Sequence, residues 1–326
     1  MRHVSGFEFR VTGSTQLNLK HATRNTKQER SDKQRVKRAK RERSEQNTPM
    51  TTTDIELRSM KHLVRVIQET YDVDFSNYAR ASFNRRIVRV LEKYRIPNAD
   101  ELANRIKSDS AFFNEFLREV TVNTTEMFRD PPFWRKLRDE VLTSFSPGKT
   151  LRIWHAGCSS GEEVFSLAIL LQEAGLLDNA RIYATDINDN IIEQARSGRY
   201  WSRKMEVNQR NWERLRGDSD FGQYYTLAKD YAVFRPDLIR NVVFRTHNLV
   251  SDASFMKFDI ILCRNVMIYF DQELQARVLG LFANSTFPGA YLCIGAQESI
   301  QWLEHSNAKQ FKIWASKECI YRKNAF

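Results

Sequence analysis

The run His155-Ala156-Gly157-Cys158-Ser159-Ser160-Gly161-Glu162-Glu163 carries the most readable chemistry in the chain. It follows a short apolar stretch, Leu151-Arg152-Ile153-Trp154, and opens an apolar-rich segment that runs to Ala174. Glycines between a strand end and a helix start let backbone pass close to a ligand. Their spacing here is G-x-x-x-G. A dinucleotide turn needs G-x-G-x-x-G and a phosphate loop needs G-x-x-x-x-G-K-[ST], so neither is supported. Asp186 stands 25 residues beyond Gly161, at the end of the next apolar stretch. An acidic side chain there can accept both hydroxyls of a ribose at the carboxyl ends of parallel strands. Together these residues point to a nucleoside ligand without a phosphate chain. The plainer alternative is a structural turn, with Asp186 capping the next helix.

Other chemistries find less support. Cys158, Cys263, Cys293 and Cys319 are far apart, with no C-x-x-C and no histidine at zinc spacing, which predicts reduced thiols and no metal. His155 and His247 flank the glycine loop and a later motif without a nucleophile partner. Asp130-Pro131-Pro132-Phe133 resembles the D-P-P-[YF] motif that holds an amino group in nucleic-acid amino-methyltransferases. That motif normally follows an apolar strand, and here Thr124-Thr125-Glu126-Met127 precedes it; Asp-Pro is also a simple helix start.

The elements that must position these residues fall into three regions. Residues 1–52 are polar and end in the basic run Lys33 to Arg43, a composition that predicts a disordered tail. The formal charge of the chain is +11, and residues 1–50 supply +8 of it, leaving +3 for the rest. The basic balance is therefore a property of the tail, and nucleic acid is not an expected partner of the folded part. A translation start at Met50 is a further reading of that segment. Residues 53–121 show helical periodicity, first with Leu63, Val66 and Ile67 on one face, then through Ala79–Tyr94, Ala99–Lys107 and Ala111–Val120. From residue 122 to 326 strands alternate with helices, the pattern of a mostly parallel sheet covered on both faces. Leu151–Trp154, Arg181–Thr185, Asn241–Thr246, Phe258–Cys263 and Ala290–Gly295 read as strands, and Phe311–Tyr321 as the closing strands. Residues of about 200–240 interrupt the alternation with an amphipathic stretch near Trp212 and two short strands, an inserted β subdomain. No apolar run nears the ~18 residues that a membrane helix needs, and no apolar leader opens the chain, which predicts a cytoplasmic protein without membrane insertion.

Six segments occur in a fixed order: Asn123-Thr124-Thr125-Glu126-Met127-Phe128-Arg129-Asp130, the Gly157 loop, Ala184-Thr185-Asp186-Ile187, Ala195-Arg196-Ser197-Gly198, His247-Asn248-Leu249, and Cys263-Arg264-Asn265-Val266-Met267-Ile268-Tyr269-Phe270-Asp271. In this order they resemble the CheR family of chemotaxis receptor methyltransferases, over roughly Asp54 to Tyr321. The resemblance implies a class I methyltransferase α/β fold: a Rossmann-like, mostly parallel sheet with an antiparallel edge strand, an inserted subdomain and an N-terminal helical domain. It implies S-adenosyl-L-methionine as cofactor, S-adenosyl-L-homocysteine as product, and methyl transfer to glutamates in the cytoplasmic helical region of methyl-accepting chemotaxis receptors.

The resemblance also assigns roles. Asn123, Thr125 and Arg129 match a cofactor-contacting N-x-T-x-x-x-R element, Glu163 a carboxylate near the cofactor, and Asp186 the ribose partner. Asn248-Leu249 and Asn265-Val266 match the segments flanking adenine and the methionine part. Arg129 and Tyr269 stand nearest the methyl transfer path. Arg86 and Arg89 match a basic helix that docks the receptor, although Val90 and Glu92 stand where further basic residues are common. Val164-Phe165 replaces the usual Pro-Tyr, and Gly295-Ala296-Gln297-Glu298 replaces Gly-His-Ser-Glu. Two other readings compete: an amino-methyltransferase acting on nucleic acid, and a cofactor-sensing module without turnover.

Overall fold

The computed structural model describes residues 55–121, 125–216, 219–300 and 307–325. The basic tail and Asn123 lie outside the described residues. Four helices come first: α1 (Leu57–Tyr71), α2 (Arg80–Tyr94), α3 (Ala99–Ser108) and α4 (Ser110–Val120). Each repeats apolar residues at helical spacing, and those residues meet in one cluster around Leu63, Ile67, Ile87, Leu102, Ile106 and Phe116. Their boundaries follow local chemistry. The side chain of Asn98 accepts from Glu101 N and that of Asp109 from Phe112 N, supplying acceptors to helix amides that have none within the helix.

The remainder is built on β1 (Leu151–Ala156), β2 (Ala180–Asp186), β6 (Val242–Thr246), β7 (Phe258–Cys263), β8 (Thr286–Ile294), β9 (Phe311–Ala315) and β10 (Ile320–Lys323). They lie in the order β6-β2-β1-β7-β8-β10-β9. The first five pair in parallel, and β10 pairs antiparallel with both β8 and the outer strand β9. Alternate side chains feed two cores. Leu151, Ile153, Ile260 and Leu262 join one, with α6 (Glu162–Glu173) packed on them. Trp154, Ala156, Ile261 and Cys263 join the other, with α9 (Gln272–Asn284). A parallel sheet buried on both faces explains why its strands read as nearly continuous apolar runs. All four cysteines are buried free thiols.

Between β2 and β6 come α7 (Asp189–Ser197), β3 (Arg199–Trp201), α8 (Met205–Leu215), β4 (Tyr225–Ala228) and β5 (Tyr231–Phe234). The inserted sheet has three strands, β3-β5-β4, all antiparallel. Its first strand, only three residues long, is too short to show an alternation in sequence. A short helix α5 (Pro131–Lys136) precedes β1, with Asp130 before it at φ 59°. Among the described residues no helix is long and apolar enough to cross a membrane, and no group of three or more His, Cys, Asp or Glu could hold a metal.

Candidate functional site

The neighbours of β1 are β2 on one side and β7 on the other, so the strand order reverses beside it. Ligands of open α/β sheets bind at that reversal, beyond the carboxyl ends of the strands. The glycine loop turns there. Gly157 N and Cys158 N both donate to Thr185 O at 2.8 Å, tying the loop to the end of β2. Gly157 has φ 82°, and a Cβ on it would come within 2.6 Å of Val266 Cγ2. Gly161 has φ 90°, and a Cβ there would come within 2.8 Å of Ala195 Cβ. The backbone thus approaches its neighbours where only glycine fits.

The two adjacent glutamates separate in role. Glu162 is fully buried and takes Ser160 Oγ and Lys204 Nζ, the latter at 3.2 Å, which fastens the loop to the insert. Glu163 turns toward the cleft. Its Oε1 meets His155 Nδ1 at 2.9 Å and its Oε2 accepts from Arg264 Nη1 at 3.2 Å. Burial acts to raise its pKa, but the hydrogen bond and charge of His155, with those of Arg264, outweigh it and hold the carboxyl below its ordinary value.

Asp186 ends β2 and accepts from Ser159 N at 2.9 Å and Asn188 N at 3.2 Å. Burial pushes its carboxyl above the ordinary aspartate value, against the pull of the backbone amides of Ser159, Asn188 and Ile187. If Asp186 holds a ribose, only its carboxylate form can accept both hydroxyls, and affinity would be complete above this pKa and lost below it. Titrating S-adenosylhomocysteine, the product that the sequence resemblance implies, into the protein by calorimetry should therefore show binding fall at a higher pH than an exposed aspartate would dictate. An Asp186→Asn variant should bind weakly without that dependence. A wild-type affinity unchanged down to about pH 4, where free aspartate titrates, would refute this.

Arg129 lies between two left-handed residues, Phe128 at φ 52° and Asp130 at φ 59°. Neighbouring side chains hold this strained segment. Asn208 Oδ1 accepts from Met127 N at 3.0 Å, and Asn211 Nδ2 donates to Met127 O at 2.9 Å, both from α8. Ser166 Oγ accepts from Phe128 N at 2.9 Å. The Arg129 carbonyl accepts from Trp134 Nε1 at 2.9 Å and Arg264 Nη2 at 3.2 Å. The insert therefore serves the site, by clamping the loop that carries Arg129.

Thr125, Arg129, Glu163, Asp186, Asn248, Leu249, Asn265, Val266 and Tyr269 all border one cleft, and Arg86 of α2 closes it from the helical side. The Arg86 guanidinium lies 4.5 Å from the Tyr269 ring centre, and its Nη1 donates to Val120 O at 2.8 Å. Arg89 is exposed on the helix and does not border the cleft. Asn248 Oδ1 accepts from Val250 N at 2.9 Å, so this oxygen shapes the loop. Asp130 is likewise absent from the cleft wall; its carboxylate pairs with Arg264 at 2.8 Å.

Three groups of residues that sequence reasoning passed over prove central. Arg264, with a side chain only 2% exposed, joins Glu163, Asp130 and the Arg129 carbonyl, and stacks 4.0 Å from the Phe133 ring centre. Glu298, also buried, accepts from Asn265 N at 2.9 Å, Val266 N at 3.0 Å and Ile268 N at 3.2 Å, fixing the loop after β7. Asn208 and Asn211 are the third. A polar pair at i, i+3 between the apolar Met205 and Trp212 was the available signal for them.

The arrangement fits a nucleoside: a carboxylate for the ribose, a glycine turn that brings backbone close, and no phosphate loop. Burial, with the nearby charges of Asp186 and Glu163, pushes the Cys158 thiol well above its usual range, so it stays neutral at the cleft wall. A mostly parallel sheet with reversed strand order, an antiparallel strand near one edge and such a cleft has a Rossmann-like, nucleoside-binding architecture. Residues 123–317 match the CheR methyltransferase SAM-binding domain and residues 58–121 the CheR methyltransferase all-alpha domain. Cher3 of Pseudomonas putida is 38% identical over 277 residues, 85% of this chain and all of that protein. The chemotaxis protein methyltransferase of Listeria innocua is 33% identical over 243 residues, 73% of this chain and 89% of that one. Chemotaxis protein methyltransferase 1 of Pseudomonas aeruginosa is 34% identical over 229 residues, 66% and 80% of the two chains. The chain belongs to the CheR methyltransferase family, and its cofactor is S-adenosylmethionine.

Proposed function

We propose that this methyltransferase esterifies glutamate side chains on the cytoplasmic helical region of methyl-accepting chemotaxis receptors. The observation that carries the reading is the pairing of a ribose-type carboxylate, Asp186, with two arginines, Arg86 and Arg129, along one cleft. A glutamate acceptor is already ionised near neutral pH, with a reference pKa of about 4.3, and needs no general base. What it needs is alignment and partial loss of water. S-adenosylmethionine, when bound, supplies an electrophilic methyl on a sulfonium centre.

In this reading Asp186 accepts the ribose hydroxyls. Thr125 and Glu163 hold the cofactor's amino-acid end, with Asn123 beside Thr125 in sequence. Asn248-Leu249 and Asn265-Val266 flank the adenine and methionine parts. Arg129 orients the acceptor carboxylate through charge-assisted hydrogen bonds, and Tyr269 borders the transfer path. Arg86, at the mouth, and Arg89, exposed on the same helix, contact the acidic receptor surface. Residues 53–121 act as the recognition domain and 122–326 as the transfer domain.

Methyl-labelled S-adenosylmethionine, incubated with the full chain and receptor-containing membranes, should label the receptor. Mild base should release that label as methanol, and an Asp186→Ala variant should give none. Label that resists base, or that appears only on added nucleic acid, would overturn the reading.

A further inference from the structure

The segment leading into α2 touches the loop after β7. Asn77 O accepts from Asp271 N at 2.9 Å, and Ala79 N donates to Tyr269 O at 2.8 Å. Between them Tyr78 forms an antiparallel bridge with Phe270, the rings edge to face at 5.2 Å. A helical-domain residue is thereby pinned to the loop that carries Tyr269. Tyr78 borders the same cleft as Asp186 and Ile187, and Ser82 and Arg86 follow it at four-residue spacing along that wall.

Packing against Phe75 at 4.8 Å and Phe270 accounts for where the ring lies. That packing leaves Tyr78 on the wall of the cleft that Asp186 also lines. Burial pushes that phenol well above the usual tyrosine value, and the Asp186 charge adds to the effect, so the hydroxyl keeps its proton and remains a donor. Ribose hydroxyls that donate to Asp186 still have oxygen lone pairs to accept with.

We propose that Tyr78 is a cofactor-binding residue lent by the helical domain, its ring closing the nucleoside end of the cleft and its hydroxyl donating to the ribose that Asp186 holds. The inference rests on the reading of Asp186 as the ribose partner. It makes the helical domain part of the cofactor site as well as a platform for the acceptor.

Calorimetric titration of S-adenosylhomocysteine into the full chain tests this without any acceptor. Tyr78→Phe should weaken binding by on the order of 3- to 10-fold, one net hydrogen bond, with the melting temperature of the unliganded protein unchanged. Tyr78→Ala should weaken it by roughly a further tenfold, as the ring's apolar cover is lost. In turnover assays the Tyr78→Phe variant should raise KM for S-adenosylmethionine and leave KM for the receptor alone. Wild-type affinity in Tyr78→Phe would overturn the hydroxyl's role. Full affinity in Tyr78→Ala at temperatures where it stays folded would overturn the proposal entirely. Were Asp186→Ala also to bind as wild type, the ribose placement would be the part at fault, and the proposal would fall with it.

Discussion

Replacing Arg264 with methionine is expected to lower the unfolding free energy by about 3–5 kcal/mol near neutral pH, the cost of removing one partner from a buried ion pair. The guanidinium, 2% exposed, answers Glu163 at 16% and Asp130 at 39%. Asp130 can turn to water; Glu163, mostly buried at the cleft wall, keeps its bond with His155. The sign of the pH effect follows. Glu163 titrates below its ordinary value when folded, so its contribution is present above the unfolded pKa and lost as pH falls through the folded one. Without Arg264 the burial that opposes this lowering gains ground. The penalty in urea denaturation should then be full at about pH 7.5 and shrink as pH falls through the ordinary glutamate value of about 4.3. Adding Glu163→Gln to the variant should recover part of the loss. A penalty under about 1 kcal/mol, typical of an exposed ion pair, would mean that the network contributes little.

Glu298→Gln should act on the cofactor site from behind. The carboxylate accepts from three successive parts of the loop, Asn265, Val266 and Ile268, and from Gly295 N. It fits because position 295 is glycine: a Cβ there would stand 2.7 Å from Glu298 Oε2 and from Asn265 Nδ2. Glutamine keeps one acceptor oxygen and turns an amide NH₂ against N–H donors. Each buried donor left without a partner costs about 1–3 kcal/mol, so a loss of roughly 2–4 kcal/mol is expected. Asn265, held at φ 60°, would relax, and Val266, which walls the Gly157 turn, would move with it. Affinity for S-adenosylhomocysteine should fall by on the order of tenfold or more, the equivalent of about 1.4 kcal/mol. A variant that melts lower yet binds normally would show that the loop keeps its shape unaided.

Much of this was legible in the sequence because it rests on local rules. The helix α2 and the strand β7 declare themselves by periodicity and by apolar runs that a doubly covered sheet requires. Spacing alone could place Asp186 at the end of a strand and Gly161 before a helix, where the structure has them. The closing edge was legible as strands with an antiparallel member, but not in its order: the antiparallel β10 inserts between β8 and the outer strand β9. Insertion order depends on pairing between distant segments, which periodicity does not encode. Arg264 and Glu298 were hidden for a related reason. Each lies within a recognised motif, but apart from Gly295 the partners come from segments 30 to 135 residues away. A buried charge is defined by what surrounds it, and that information appears only once the chain is folded.

The four cysteines have a use that their burial creates. Cys158, Cys263, Cys293 and Cys319 all belong to the sheet domain, and the helices α1 to α4 contain none. A thiol reagent can reach Cys263 and Cys293 only when strands part, Cys158 when the β1 turn lifts and Cys319 when the β9–β10 turn opens, since reaction needs exposed thiolate. Their labelling rate is therefore a clock for opening of the sheet, blind to fraying of the helical bundle. Because Cys158 borders the cleft and the other three do not, a mass-resolved version of that clock distinguishes breathing at the cofactor turn from unfolding of the strands behind it.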